Sequence, residues 1–274
     1  MEITGDFLTP SLRTALRPLL LPSLRLRVSG EAVPDSTGTR FGGVPLLAGD
    51  APWPRSAAGR PLSFLGQLNS TDVNTRLGAT LLPPDTLLSF FYDLHEEPWG
   101  FDPADASGSR VLVTPQAAAH PRAAPAEAAS FPAHATVATP ARTLPDRWDS
   151  PPGRPLAAAL HEGVEAFYDA AEEQDEDVPR HRVFGWPELV QGPMQLECQL
   201  VTNGIYCGDP DGYRDPRVAD LRAGARDWLL LWQIDTDEDA GWAWGDAGTL
   251  YYWIHRDDLA TGDFDRVWLI QQCC

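Results

Sequence analysis

The sequence predicts a mostly antiparallel β fold with short helices, written as two degenerate repeats that would stand as pseudo-two-fold lobes. Three observations carry that expectation. Four apolar segments recur in the same order in the two halves of the chain. Each is short, rich in Leu, Val and aromatics, and bounded by Gly, Pro, Asn or Asp, which is strand punctuation. The brief connections "LPPDT" and "GDAGT" between consecutive segments point to antiparallel neighbours.

Taken in order, residues 1–40 read as an N-terminal helical segment, with "SLRTALRPLLL" a short helix interrupted before Pro18. Residues 41–116 form the first lobe. It opens on "FGGVPLL" from Phe41 and continues through "LSFLGQLN" (Leu62 to Asn69), "TLLSFFYD" (Thr86 to Asp93) and "SRVLVTPQ" (Ser109 to Gln116). Gly42, Gly43 and Pro45 turn the chain into a strand, and "STDVNTRLG" reads as a one-turn helix. Residues 117–180 are a connection, Ala- and Pro-rich as far as Pro155. Proline at this density speaks against long helices and central strands, so an extended path over the surface is expected. Beyond it, Leu156, Leu160, Val164 and Phe167 recur at helical spacing before an acidic run. Residues 181–274 repeat the plan with "FGWPELV" from Phe184, "WLLLWQID" (Trp228 to Asp235), "GTLYYWIH" (Gly248 to His255) and "DRVWLIQQ" (Asp265 to Gln272). A second short helix is expected at "RDDLATGDF". At 274 residues and 43% hydrophobic content, one compact domain can hold both lobes.

Charge separates the halves. Residues 1–160 hold 15 acids and 13 Arg, whereas residues 161–274 hold 24 acids and 8 Arg. Such a field repels nucleic acid and anionic lipid and attracts a basic protein. All 21 basic residues are Arg, which removes Schiff-base and Walker-type lysines. Four cysteines, Cys198, Cys207, Cys273 and Cys274, are too few for a secreted framework in a chain this long, and no signal peptide or membrane span is read. A soluble, cytoplasmic protein is expected, acting on neither nucleic acid nor membrane.

The ordered set "FGGVPLLAGDAPWPRSAAGRPLSFLGQLN", "HRVFGWPELVQ", "WGDAG" and "FDRVWLIQQCC" resembles the YwqG-like family, also catalogued as a bacterial domain of unknown function, DUF1963. The resemblance spans roughly residues 40–115 and 181–274. It implies an α+β fold dominated by antiparallel strands and carries no known activity. Some members of that family resemble neighbours of bacterial toxin systems, which implies immunity or antitoxin work.

Candidate chemistry is sparse. "DTDEDAGWAWGDAG" alternates Asp235, Asp237 and Asp239, yet an EF-hand wants Gly at position 6 and Glu at 12, where Ala240 and Asp246 stand. An acidic hairpin with Asp246 capping a turn is expected instead. The cysteines lack CxxC spacing, so neither metal nor cofactor is expected. "HEEPW" at His95 places a histidine beside two carboxylates, open to acid–base work or to a solvated loop with Trp99 packed beneath it. Gln67 and Gln233 hold equivalent places in the repeats. If the lobes face one another, they could join Gln191, Trp244 and Asp246 in an inter-lobe cleft that binds a small ligand or substrate, or each amide could serve backbone groups. The preferred expectation is a non-enzymatic, immunity-like factor whose acidic residues Asp235, Asp237, Glu238 and Asp239 meet a basic partner. An enzyme or ligand-binding cleft is the alternative.

Overall fold

The computed structural model describes residues 10–31, 36–146 and 179–274. Its strands are β1 (Leu21–Glu31), β2 (Arg40–Phe41), β3 (Leu46–Ala48), β4 (Ser63–Asn69), β5 (Thr86–Tyr92), β6 (Ser109–Pro115), β7 (Ala119–Pro121), β8 (His134–Thr143), β9 (Arg182–Val183), β10 (Trp228–Asp235), β11 (Thr249–His255) and β12 (Trp268–Gln272). One ten-stranded sheet runs in the order β12-β11-β10-β9-β1-β8-β2-β4-β5-β6, and β3 pairs with β7. Every pairing among these strands is antiparallel. Among the described residues the helices are short, the longest being Ser70–Leu77. It starts where the Asn69 side chain accepts from the Asp72 N–H at 3.1 Å, and it ends at Gly78, whose φ of 66° suits a residue without Cβ. The protein is thus mostly antiparallel sheet with few short helices. Among the described residues, no helix is long and apolar enough to cross a membrane.

Strands β5 and β11, each next to an edge of the sheet, are buried on both faces, which is why they read as continuous apolar runs and not as alternation. One face of β4, β5 and β6 supplies Leu65, Leu68, Phe90, Tyr92 and Val111; the matching face of β10, β11 and β12 supplies Trp232, Ile234, Tyr252, Ile254 and Leu269. All of these share one core. Phe90 lies 4.6 Å from Trp232 and 5.1 Å from Tyr252 between ring centroids. In the sheet, four strands separate β4 from β10. Contact between the two arms therefore means that the sheet curls over and packs on itself. The outer faces are covered separately. Tyr251, Trp253 and Ile270 pack on the helix Gln195–Val201 through Met194, Cys198 and Val201, and Phe64 and Phe91 pack on Leu47 and Leu62.

Two expectations are corrected. Residues 1–40 are not simply helical: the helix Pro10–Leu16 gives way to β1, an 11-residue strand in the middle of the sheet. Along it Leu24 and Leu26 are buried on one face and alternate with half-buried Arg25 and exposed Arg27 on the other. The Pro/Ala-rich stretch also yields a central strand, β8, which pairs with β1 over ten positions from Leu21↔Thr143 to Glu31↔His134. Proline is tolerated because β2 flanks β8 only at His134 and Ala135. Pro140 therefore lies where β8 has β1 on one side alone, which makes it locally an edge. The helix expected over residues 156–167 lies outside the described residues.

Candidate functional site

The buried amides are set by the sheet register. Arg40 pairs with Gln67 across β2 and β4, and Arg182 pairs with Gln233 across β9 and β10. Gln67 donates through Nε2 to the carbonyls of Ser36 (3.1 Å) and Gly38 (2.9 Å), and its Oε1 accepts from Arg40 at 3.3 Å. Gln233 donates to the Arg180 carbonyl at 2.9 Å and accepts from the Glu188 N–H at 3.0 Å. Both side chains are fully buried. Arg40 further donates to the carbonyls of Gly42 and Val44, while Arg182 donates to the Trp186 carbonyl at 2.9 Å and ion-pairs with Glu188. Each Arg thus pins the turn that follows a two-residue strand, and each amide bonds backbone groups that flank that strand.

The other members of the expected ligand set sit near the C-terminal residues. Gln191 donates to the Cys273 carbonyl at 2.7 Å, Trp244 is buried with its indole N–H on the Asp235 carbonyl at 3.0 Å, and the Asp246 carbonyl accepts from Cys274 N–H at 3.2 Å. Gln67 lies on the opposite arm and shares no hydrogen-bond partner with them. Among the described residues, no group of three or more His, Cys, Asp or Glu side chains is placed to hold a metal ion.

The acidic hairpin divides by role. Asp235 is half-buried and accepts from the Arg180 N–H (2.8 Å) and the Thr249 hydroxyl (2.7 Å). Asp237 is buried; it accepts from the N–H groups of Asp239 and Ala240 and lies 3.0 Å from His181 Nε2. His181 Nδ1 accepts from the Asp235 N–H at 3.1 Å, which places the ring proton on Nε2, facing the carboxylate. Phe41 and Trp242 close over this dyad at ring distances of 4.7 and 5.5 Å. Burial opposes ionisation of Asp237, but the bond from His181 and the two backbone donors outweigh it, holding the carboxyl below its ordinary value. Glu238, Asp239 and Asp246 are exposed at the hairpin tip. Of the four acids expected to meet a partner, then, Glu238 and Asp239 face solvent, whereas Asp235 and Asp237 brace the turn. His95 is exposed on its loop, 3.4 Å from Glu96, which is itself paired with Arg60.

Sequence reasoning missed a rim of aromatics at the start of β12. The loop from Glu97 to Ser107 crosses from β5 to the far edge of the sheet, where the Trp99 carbonyl accepts from Gln271 N–H at 3.0 Å and the Gly100 carbonyl from the Trp268 indole at 2.8 Å. Phe101 meets Tyr206 edge-on at 5.7 Å and Trp99 at 6.4 Å. Beside them the Tyr213 hydroxyl donates to Glu197 at 3.3 Å. Burial without a cation lifts the Glu197 carboxyl to about 7, against a smaller opposing effect of the Tyr213 bond. The available signal was the pair of tyrosines in the polar loop "IYCGDPDGYRD", where aromatics have no strand to serve.

A family model described as "Domain of unknown function (DUF1963)" matches residues 39–273. No curated protein matches the chain.

Proposed function

The chain belongs to the DUF1963 family; from its distribution of charge we propose that it is a protein-binding factor without catalytic activity, of the immunity or antitoxin kind, whose acidic surface covers a basic partner. The observation that carries this reading is the division of polar groups. Buried amides and arginines are consumed by the protein's own backbone, while Glu238, Asp239 and Asp246 stand at an exposed hairpin tip with no counter-ion among the described residues. Residues 179–274 carry sixteen carboxylates against eight arginines, so the tip sits within a negative field. Such a field speeds the approach of a basic surface and is screened by salt.

In this reading the body that presents the tip is a degenerate duplication. Matched bulges interrupt β4 between Phe64 and Gly66 and β10 between Leu230 and Trp232. The turn after β2 has φ of 57° and 77° at Gly42 and Gly43, and the turn after β9 has 56° and 80° at Phe184 and Gly185. These pairs favour matching Arg40 with Arg182, one position away from an alignment of Phe41 on Phe184.

The test is capture of basic proteins by the full chain at low salt, compared with the triple variant Glu238→Gln, Asp239→Asn, Asp246→Asn. That variant leaves the bracing Asp235 and Asp237 intact. Retention should fall as salt rises and should drop in the variant. Equal retention at low and high salt sinks the proposal.

A further inference from the structure

Of the five large hydrophobic side chains exposed among the described residues, three are Trp99 (36%), Tyr206 (44%) and Tyr213 (37%); the first two meet Phe101, and Tyr213 lies against Cys207, whose N–H donates to the Phe101 carbonyl. Leaving that much aromatic surface in water is costly, and a cluster of this kind marks a contact site more often than scattered single residues do. The rim is also rigid. Three backbone carbonyls in a row, those of Trp99, Gly100 and Phe101, accept from Gln271 N–H, the Trp268 indole and Cys207 N–H at 3.0, 2.8 and 2.8 Å. A Cβ on Gly100, whose φ is +86°, would stand 1.9 Å from the Leu269 carbonyl oxygen, so the loop is seated against β12 with no slack. Aromatic rings held in place beforehand lose little freedom when a partner docks.

The charge around the rings decides what can dock. In the two loops that carry these rings, Glu97 and Asp209 are exposed and Asp102 is half-buried, and none forms an ion pair among the described residues. The neighbouring cations are occupied: Arg214 is paired with Asp211 and Arg217 with Asp215. The rim therefore offers π faces flanked by carboxylates that lack counter-ions. A guanidinium satisfies both, stacking flat on a ring while its N–H fork reaches a carboxylate. An ammonium is more strongly hydrated and cannot stack.

We propose that Trp99, Phe101, Tyr206 and Tyr213, with Asp102 and Asp209, form a docking strip for an arginine-bearing segment of a protein partner. The proposal rests on the protein-binding reading above and adds a second, aromatic contact to the acidic tip. Its test titrates the full chain with a short arginine-rich peptide and with the same peptide carrying lysine or glutamine in place of arginine. Tyr206→Ala and Asp209→Asn, both at exposed side chains, are run beside wild type, with thermal melts to verify folding. The arginine peptide should bind more tightly than the lysine peptide, the glutamine peptide should fail, and Tyr206→Ala should weaken binding roughly five- to tenfold. The tip triple variant should leave this preference for arginine in place. Equal binding of the arginine and lysine peptides, or no loss in folded Tyr206→Ala, overturns the strip. If binding then still depends on the tip acids, the broader reading stands without it; if no basic peptide binds at any salt, both fall. Binding of a neutral oligosaccharide in preference to the peptide would also overturn it, because sugars stack on the same rings without needing the carboxylates.

Discussion

Glu197 makes stability depend on pH in a way that one substitution isolates. Its carboxyl is desolvated on the helix Gln195–Val201, accepts only the Tyr213 hydroxyl among described side chains, and is raised from 4.5 to about 7. A group whose folded-state pKa exceeds its unfolded value favours folding only while protonated. Its contribution is therefore complete below about pH 4.5 and lost as pH climbs through about 7. At about 1.4 kcal/mol per pH unit, the full loss is about 3 kcal/mol, an upper figure because the side chain keeps some contact with water. Glu197→Gln keeps the shape and an acceptor for Tyr213 but cannot ionise. Urea unfolding of wild type and variant at a series of pH values should give matching stabilities near pH 4 and a gap in the variant's favour that opens to about 3 kcal/mol by pH 8. The nearby thiol of Cys207 stays out of this window, since burial and then Glu197 push it up to about 11. A difference between the two proteins that does not change with pH would refute the reasoning.

Asp237 acts in the opposite direction. Its lowered pKa means that the stability it contributes is present above its unfolded value of about 3.8 and lost as pH falls below it, and Asp237→Ala should cost about 3 kcal/mol by stranding buried His181 and two N–H groups, read from denaturant midpoints at neutral pH. Gln233→Leu should cost about 1–3 kcal/mol, because the half-buried Arg180 carbonyl and Glu188 N–H lose their partner; an unchanged midpoint would deny the amide its bracing role. Gly100→Ala should lower the melting temperature sharply, since its Cβ meets the Leu269 carbonyl and the φ of +86° is strained for any side chain. A melt like wild type would show that the loop is not seated as described.

Some elements were readable because their physics is local. "TLLSFFY" and "TLYYWIH" are apolar runs between turns, and both are strands buried on both faces. "STDVNTRLG" reads as a one-turn helix, and the helix found there, Ser70–Leu77, is longer and capped by Asn69. Others depended on neighbours. Pro140 argued against a central strand, yet β8 accommodates it because β2 is too short to reach that far. Gln67 and Gln233 stand in similar apolar phrases, "LSFLGQLN" and "WLLLWQID". Sequence alone left open whether they faced a ligand or the backbone, and the partners they found are carbonyls of Ser36, Gly38 and Arg180. The aromatic rim was barely legible, since Phe101 and Tyr206 are far apart in sequence and meet only where the loop after β5 is seated on β12.

Apolar periodicity, turn residues and the sign of the charge belong to the sequence by itself, because each is set within a few bonds or summed without regard to place. That was enough to specify an antiparallel, strand-rich, acidic protein. Only the tertiary structure decided which polar groups remain available. The fold buries Gln67, Gln233, Arg40, Arg182 and Asp237 and engages them, with half-buried Asp235, in hydrogen bonds that spacing does not reveal. It leaves Glu238, Asp239 and a ring of aromatics for the surface. Burial is a property of what lies across the core, and what lies across the core here comes from the other half of the chain.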